Sequence, residues 1–425
     1  MAMRMNLPSK NELRSLAINF FNYGIFQSST YIVPLITIPY IIRVVGIENY
    51  GIISLANGIA NYIRVGVDYG WNILGIQYIA RAGKNNKKRG EIVSVILSQQ
   101  MFLALVGGAI LGLAVLLLPK LQRESLVFFL AYGLVPGNML ILTWFYVGAE
   151  QVKDLNYIFL SSKLLYVLLI FFLLKPLNNF MWVVAFNSLS LLAAGMGSLL
   201  LLRFKYGIRI RLYGWKKFSP LFKEGWPIFV SYFSTNFYRN SNILILSVFA
   251  SERIIGIYSV AEKAVKVVQS TFMPLSQTLY PYIAKISKTD EVKAAKYLRY
   301  IIIGMAVLSG MVSALMFVTA PLIIRLLAGT TPALGVLLVR VGSLVVLFGV
   351  LNYILGVIYL TNFGFKEKFS HAVVSTGIFG IVSCFILSYF FSATGTMLSF
   401  TLSELFLLVL LTHYVRKYKR LGKLV

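Results

Sequence analysis

About twelve separate stretches of roughly 20 apolar residues, each long enough to cross a bilayer, divide this chain. They lie near residues 16–42, 51–76, 92–118, 125–148, 156–174, 180–202, 226–249, 256–281, 299–327, 333–360, 371–391 and 395–415. Hydrocarbon offers no partner for backbone N–H and C=O groups, so a spanning segment must satisfy them internally. Continuous apolar runs such as Ile110–Leu118 select helices over the alternating strands of a membrane barrel. The expected fold is therefore all-α and integral to the membrane. Composition agrees: 58% of the 425 residues are hydrophobic and 13% are charged, and mean hydropathy is +0.78. That leaves too little charged surface for a soluble domain of this size. The residues after Met1–Lys10 form a long apolar stretch without a small-residue cleavage site, which reads as a retained first span rather than a leader.

The basic residues orient these spans. With a cytoplasmic N-terminus, 28 of the 40 Lys and Arg fall in the two tails and the loops on the same side. The opposite side carries Arg43, Lys120, Arg123, Lys175, Arg253 and Arg325. The positive-inside rule then puts both termini in the cytoplasm. The net charge of +26 becomes a matter of topology and of contact with anionic headgroups, not of nucleic acid.

An internal repeat divides the chain. Tyr50-Gly-Ile-Ile-Ser-Leu-Ala56 resembles Ile255-Gly-Ile-Tyr-Ser-Val-Ala261 at an offset of 205 residues, and Tyr78-Ile-Ala-Arg81 resembles Tyr282-Ile-Ala-Lys285 at 204. Six spans per half is an even number, so both halves share one orientation and a pseudo-two-fold axis would run along the membrane normal. The expectation is two six-helix bundles, 1–210 and 211–425, joined by the basic segment 203–225 and enclosing a central cleft.

Charges within the spans carry the functional information. The cations are Arg64, Lys163, Arg239, Lys263, Lys266 and Arg340; the anions are Asp68, Glu262 and Glu404. Six cations facing lipid would cost on the order of 15–20 kcal/mol on insertion scales, so most must pair, snorkel or line a polar cleft. Arg64 with Asp68, and Glu262 with Lys266, are four residues apart and share a helical face. Lys163, Arg239 and Lys263 have no acidic residue one turn away, which suits an anionic ligand. Lys163 and Arg340 lie near span ends, from which they could snorkel. Arginine's planar fork fits phosphate. The three acids are candidates for charge pairing or for coupling to protons or sodium. Pro34, Pro39, Pro136 and Pro274 interrupt spans, and proline removes a helical hydrogen bond; Pro34, Pro39 and Pro274 are the candidate hinges. One cysteine, Cys384, and two histidines build no metal cluster.

Residues 15–90 carry a family resemblance. Pro34-Leu-Ile-Thr-Ile-Pro39, Arg43-Val-Val-Gly46, Glu48-Asn-Tyr-Gly51 and Val67-Asp-Tyr-Gly70 stand in the order found in Wzx-type O-antigen flippases. These form the polysaccharide transporter branch of the superfamily that also holds lipid II flippases and drug-exporting antiporters. The resemblance implies a flippase, not an enzyme. It would move an undecaprenyl-diphosphate-linked oligosaccharide from the cytoplasmic to the periplasmic leaflet by alternating access. It also implies the polysaccharide polymerase and chain-length regulator as partners, and no resident cofactor. An antiporter for cationic drugs would share the fold but favour acids in its cleft, whereas here cations outnumber anions two to one. A membrane-bound polymerase would carry a large outer loop, and the loops here are short.

Overall fold

The computed structural model describes the backbone of residues 10–287 and 291–420. It also describes the side chains of these residues from Val33 onward, except 231, 234, 235, 237–239, 274, 276–278, 281, 282, 285, 291–293 and 418–420. All twelve apolar segments are helical, and the described residues contain no strand. Among the described residues, eight helices are long and apolar enough to cross a membrane. Leu105, Leu116, Phe172 and Val318 are among many large apolar side chains left exposed, as lipid contact requires. The protein is a multi-pass α-helical membrane protein.

Two of the eight helices hold more than one expected span. Lys10–Asp68 runs through residues 16–42 and into 51–76, broken at Gly46 (φ 84°, ψ 161°), a conformation open mainly to glycine. Pro34 and Pro39 lie within helical backbone; the break falls beyond them. Lys366–Arg420 contains both 371–391 and 395–415, broken at Ser392 (φ 50°, ψ −132°). Elsewhere one expected span is two or three helices. The segment 125–148 becomes Ser125–Tyr132, Leu134–Ile141 and Thr143–Gly148, with Leu142 left-handed at φ 54°. The segment 256–281 becomes Glu252–Ser270 and Met273–Ser287. Ala333–Asn352 continues into a π-helix, Tyr353–Leu360.

The chain forms two compact units. The first comprises residues up to Pro34, Ile63–Pro176 and Met181–Val230. The second comprises Leu35–Tyr62, Leu177–Phe180 and the chain from Ser231 onward.

In the first unit, small residues let helices meet closely, the usual solution where lipid removes the hydrophobic drive for association. A Cβ on Gly137 would lie 2.8 Å from Leu191 Cβ, and one on Gly195 would lie 2.6 Å from Leu140 Cβ. Ser188 Oγ donates to the Leu130 carbonyl at 2.6 Å and Ser198 Oγ to that of Ile141 at 2.9 Å. The basic segment after Met181–Phe204 is tied down: Arg211 N and Tyr213 N donate to Ser94 and Ser98 Oγ at 3.0 and 2.8 Å. Lys205 pairs with Asp154 at 2.7 Å. Tyr206 donates to the same carboxylate; burial and that bond both push its hydroxyl above the usual tyrosine range.

In the second unit, the repeated sequence packs against itself. A Cβ on Gly51 would lie 1.9 Å from the Glu252 carbonyl oxygen, and one on Gly256 would lie 2.1 Å from that of Ile47. Ser259 Oγ donates to Ser54 Oγ at 2.8 Å. The pairs 47/252, 51/256 and 54/259 all keep the offset of 205 residues found in the sequence. The two helix starts thus cross about a local two-fold axis, backbone against backbone. Beyond the crossing, the first helix meets another: Gly58 faces Leu244, and Tyr62 Oη donates to Ser241 Oγ at 2.8 Å.

Candidate functional site

Both four-residue charge pairs form. Arg64 Nη1 lies 2.8 Å from Asp68 Oδ2, with side chains 25% and 11% exposed. Asn72 Nδ2 donates to the same oxygen at 3.3 Å. Lys266 Nζ lies 3.1 Å from Glu262 Oε1, with the lysine 32% and the glutamate 5% exposed. The first pair belongs to the first unit and the second to the second.

Lys263 is neutralised by nothing among the described residues. Its ammonium donates to Tyr50 Oη at 2.9 Å and sits 5.4 Å from the centroid of the same ring. Those two distances put the ammonium beyond the hydroxyl end of the ring and off its face, so it keeps its full charge and gains one hydrogen bond to a neutral group. Lys266 likewise lies 6.0 Å from the Phe400 ring centroid. Two half-buried ammonium groups therefore stand within one turn of the Glu252–Ser270 helix, framed by aromatic rings.

A second polar cluster lies in the same unit. Asn352 Nδ2 donates to Glu404 Oε2 at 2.7 Å and to the Glu404 carbonyl at 2.9 Å; these residues are 5% and 6% exposed. Gly349 makes room for it: a Cβ there would fall 1.9 Å from Gln269 Nε2 and 3.6 Å from Glu404 Oε2. Lys163 sits 5.4 Å from the Phe159 ring centroid one turn back. Arg340 is exposed and lies 5.3 Å from that of Phe317. The side chains of Arg239 and Pro274 lie outside the described residues. Sequence reasoning did not reach Tyr50 as the partner of Lys263, or Asn352 as the partner of Glu404.

The model of the polysaccharide biosynthesis protein family matches residues 16–287. The chain belongs to this family. Among its curated relatives, a protein of Escherichia coli (strain K12) named "Putative O-antigen transporter" is 22% identical over 96% of this chain and 98% of its own length. One of the same name from Shigella dysenteriae is 23% identical over 92% and 97%. Among solved structures, the lipid II flippase MurJ in an inward closed conformation superposes with a TM-score of 0.72 at 12% identity, over 94% of this chain and 87% of its own. An inward-facing multidrug transporter of the MATE family, in the MOP superfamily, gives 0.60 at 13%, over 98% and 97%. This family member therefore has the fold of MOP superfamily transporters.

Proposed function

We propose that the protein flips an undecaprenyl-diphosphate-linked oligosaccharide, an O-antigen repeat unit, from the cytoplasmic to the periplasmic leaflet of the inner membrane. It does so by alternating access, with twelve spans in two six-helix bundles and both termini cytoplasmic. The observation that carries this reading is Lys263: a half-buried ammonium on the Glu252–Ser270 helix that meets the neutral Tyr50 hydroxyl and, among the described residues, no carboxylate. A cation drawn partly out of water without a counter-charge is costly and is stabilised by an anionic ligand. A diphosphate bears the charge that Lys263 and Lys266 would meet. Arg64, Lys163, Arg239 and Arg340 are the further cations for head group or acidic sugars. The relatives' names support the substrate class, and the match to a lipid flippase is consistent with a lipid-linked cargo. The polymerase and chain-length regulator of the same pathway are the proposed partners.

The test is deletion in the native host, with surface polysaccharide and lipid-linked precursors analysed together. Lipid core without any repeat, with precursors accumulating on the cytoplasmic side, supports the flippase. A core bearing one repeat points to a polymerase instead. Unchanged polysaccharide with altered drug resistance would overturn the reading. Plasmid-borne wild type should restore the surface polymer, and Lys263→Ala should restore less at equal membrane abundance.

A further inference from the structure

The Glu262–Lys266 pair is lopsided. The carboxylate is 5% exposed and the ammonium 32%, so the anion is sealed in and the cation faces outward. Among the described residues, Lys266 is the one group that neutralises Glu262. Its surroundings are polar yet incompletely satisfied. Tyr258, fully buried, approaches Asn242 without reaching hydrogen-bond geometry, so Tyr258 Oη and Asn242 Nδ2 both lack a partner. Tyr62 and Cys384 come within electrostatic reach of the same carboxylate. These three side chains are neutral at physiological pH and supply no counter-charge.

The other charged groups on packed elements are accounted for. Lys263, on the same helix, is engaged by Tyr50. Glu404 lies one turn beyond the Phe400 ring that Lys266 overlies and is itself an anion. Arg340 lies against Phe317, and Arg325 is exposed.

We infer that Glu262 is a proton site linked to anion binding through Lys266. The resting pair is neutral. When the ammonium turns to an incoming anion, the sealed carboxylate loses its counter-charge, and a buried acid in that position neutralises rather than stays ionised. One proton passes from solvent to a Glu262 carboxylate oxygen; no covalent bond changes. Anion and proton therefore bind together, and linkage makes the effect reciprocal: each strengthens the other by the same factor. This inference rests on the anion-carrier reading above and adds the ion that accompanies the anion.

Calorimetry separates the two. The full-length protein in nanodiscs is titrated with undecaprenyl diphosphate at about pH 8, above phosphate's second ionisation near 6. Two buffers of different ionisation heat are used. Wild type should show proton uptake on binding, and affinity should fall by up to about tenfold per unit rise in pH. In Glu262→Gln the uptake and the slope should vanish. Lys266→Gln, which removes the counter-charge beforehand, should also show no uptake and provides the check if Glu262→Gln fails to fold. Wild-type binding with no buffer-dependent heat overturns the proton site but leaves the carrier reading standing. Dependence on sodium at fixed pH, in place of proton uptake, overturns it too. No binding by wild type sinks the carrier reading and this inference with it.

Discussion

Replacing Gly51 by alanine tests whether the repeat crossing is a permanent joint or one that opens. The new Cβ would fall 1.9 Å from the Glu252 carbonyl oxygen, where ordinary contact begins at 3.4 Å. The obstructing atom belongs to the backbone, so no side chain can swing aside, and the helices must separate by about 1.5 Å. Overpacking of this kind costs about 1–3 kcal/mol. If the crossing opens during transport, that energy biases the equilibrium toward the open form by roughly 5- to 150-fold. Ser54→Cys with Ser259→Cys, in a Cys384→Ser background, reports the closed form: the native hydroxyl oxygens are 2.8 Å apart, and sulfurs placed there approach disulfide distance. Copper-catalysed cross-linking should be rapid in that background and slower by the same factor once Gly51→Ala is added. Gly256→Ala, whose Cβ would lie 2.1 Å from the Ile47 carbonyl, should act equally by symmetry. Unchanged cross-linking with unchanged transport in either variant would refute the backbone-contact argument. A fall in melting temperature without a change in cross-linking would make the crossing a fixed joint.

Other outcomes follow from the charges. Lys263→Ala should cut delivery of surface polymer at least tenfold, while Tyr50→Phe, which keeps the ring and loses one hydrogen bond worth about 1 kcal/mol, should cut it less; polymer staining against immunoblotted protein reads both. Arg64→Ala strips the cation from Asp68 and should lower the melting temperature, and adding Asp68→Ala should recover part of the loss, as expected when one partner of a shielded pair is removed. Asn352→Leu leaves the Glu404 carboxylate short of a donor and should cost about 1.5–3 kcal/mol, read by denaturation in detergent, with Glu404→Gln milder. Arg239→Ala should reduce transport with membrane abundance intact; full transport would remove it from the mechanism.

The helices were legible because most of the twelve runs are long and apolar, and that signal is local. Their breaks were not. Leu142 is left-handed and Ser392 non-helical although neither is glycine, so packing rather than local preference fixes these turns. The prolines were the local signal for kinks, yet the first helix breaks at Gly46. The i, i+4 ion pairs could be read from spacing alone, since helical geometry brings them together. Lys263 and Tyr50 stand 213 residues apart, and no periodicity connects them.

The repeat also separates what builds the fold from what does chemistry. At the offset of 205 residues, Gly51 meets Gly256 and Ser54 meets Ser259, and these positions form the crossing. Immediately past them the correspondence fails. Glu262 stands opposite Asn57 in the alignment, Lys263 opposite Gly58 and Lys266 opposite Asn61. A two-fold crossing needs the same small residues on both helices, because each backbone must approach the other. A charge site needs no such match. Repeating it would place three more ionised groups in the membrane, each costing about 2.5–3.5 kcal/mol at the bilayer centre. Symmetric positions therefore hold the two helices together, while the asymmetric turn beyond them carries the lysines and the acid. If that division is correct, Asn57→Glu with Asn61→Lys, which copies the second-half pair into the first, should lower stability and leave transport without gain. A stable variant with faster transport would show that the missing charges were a functional lack and not an economy of the membrane.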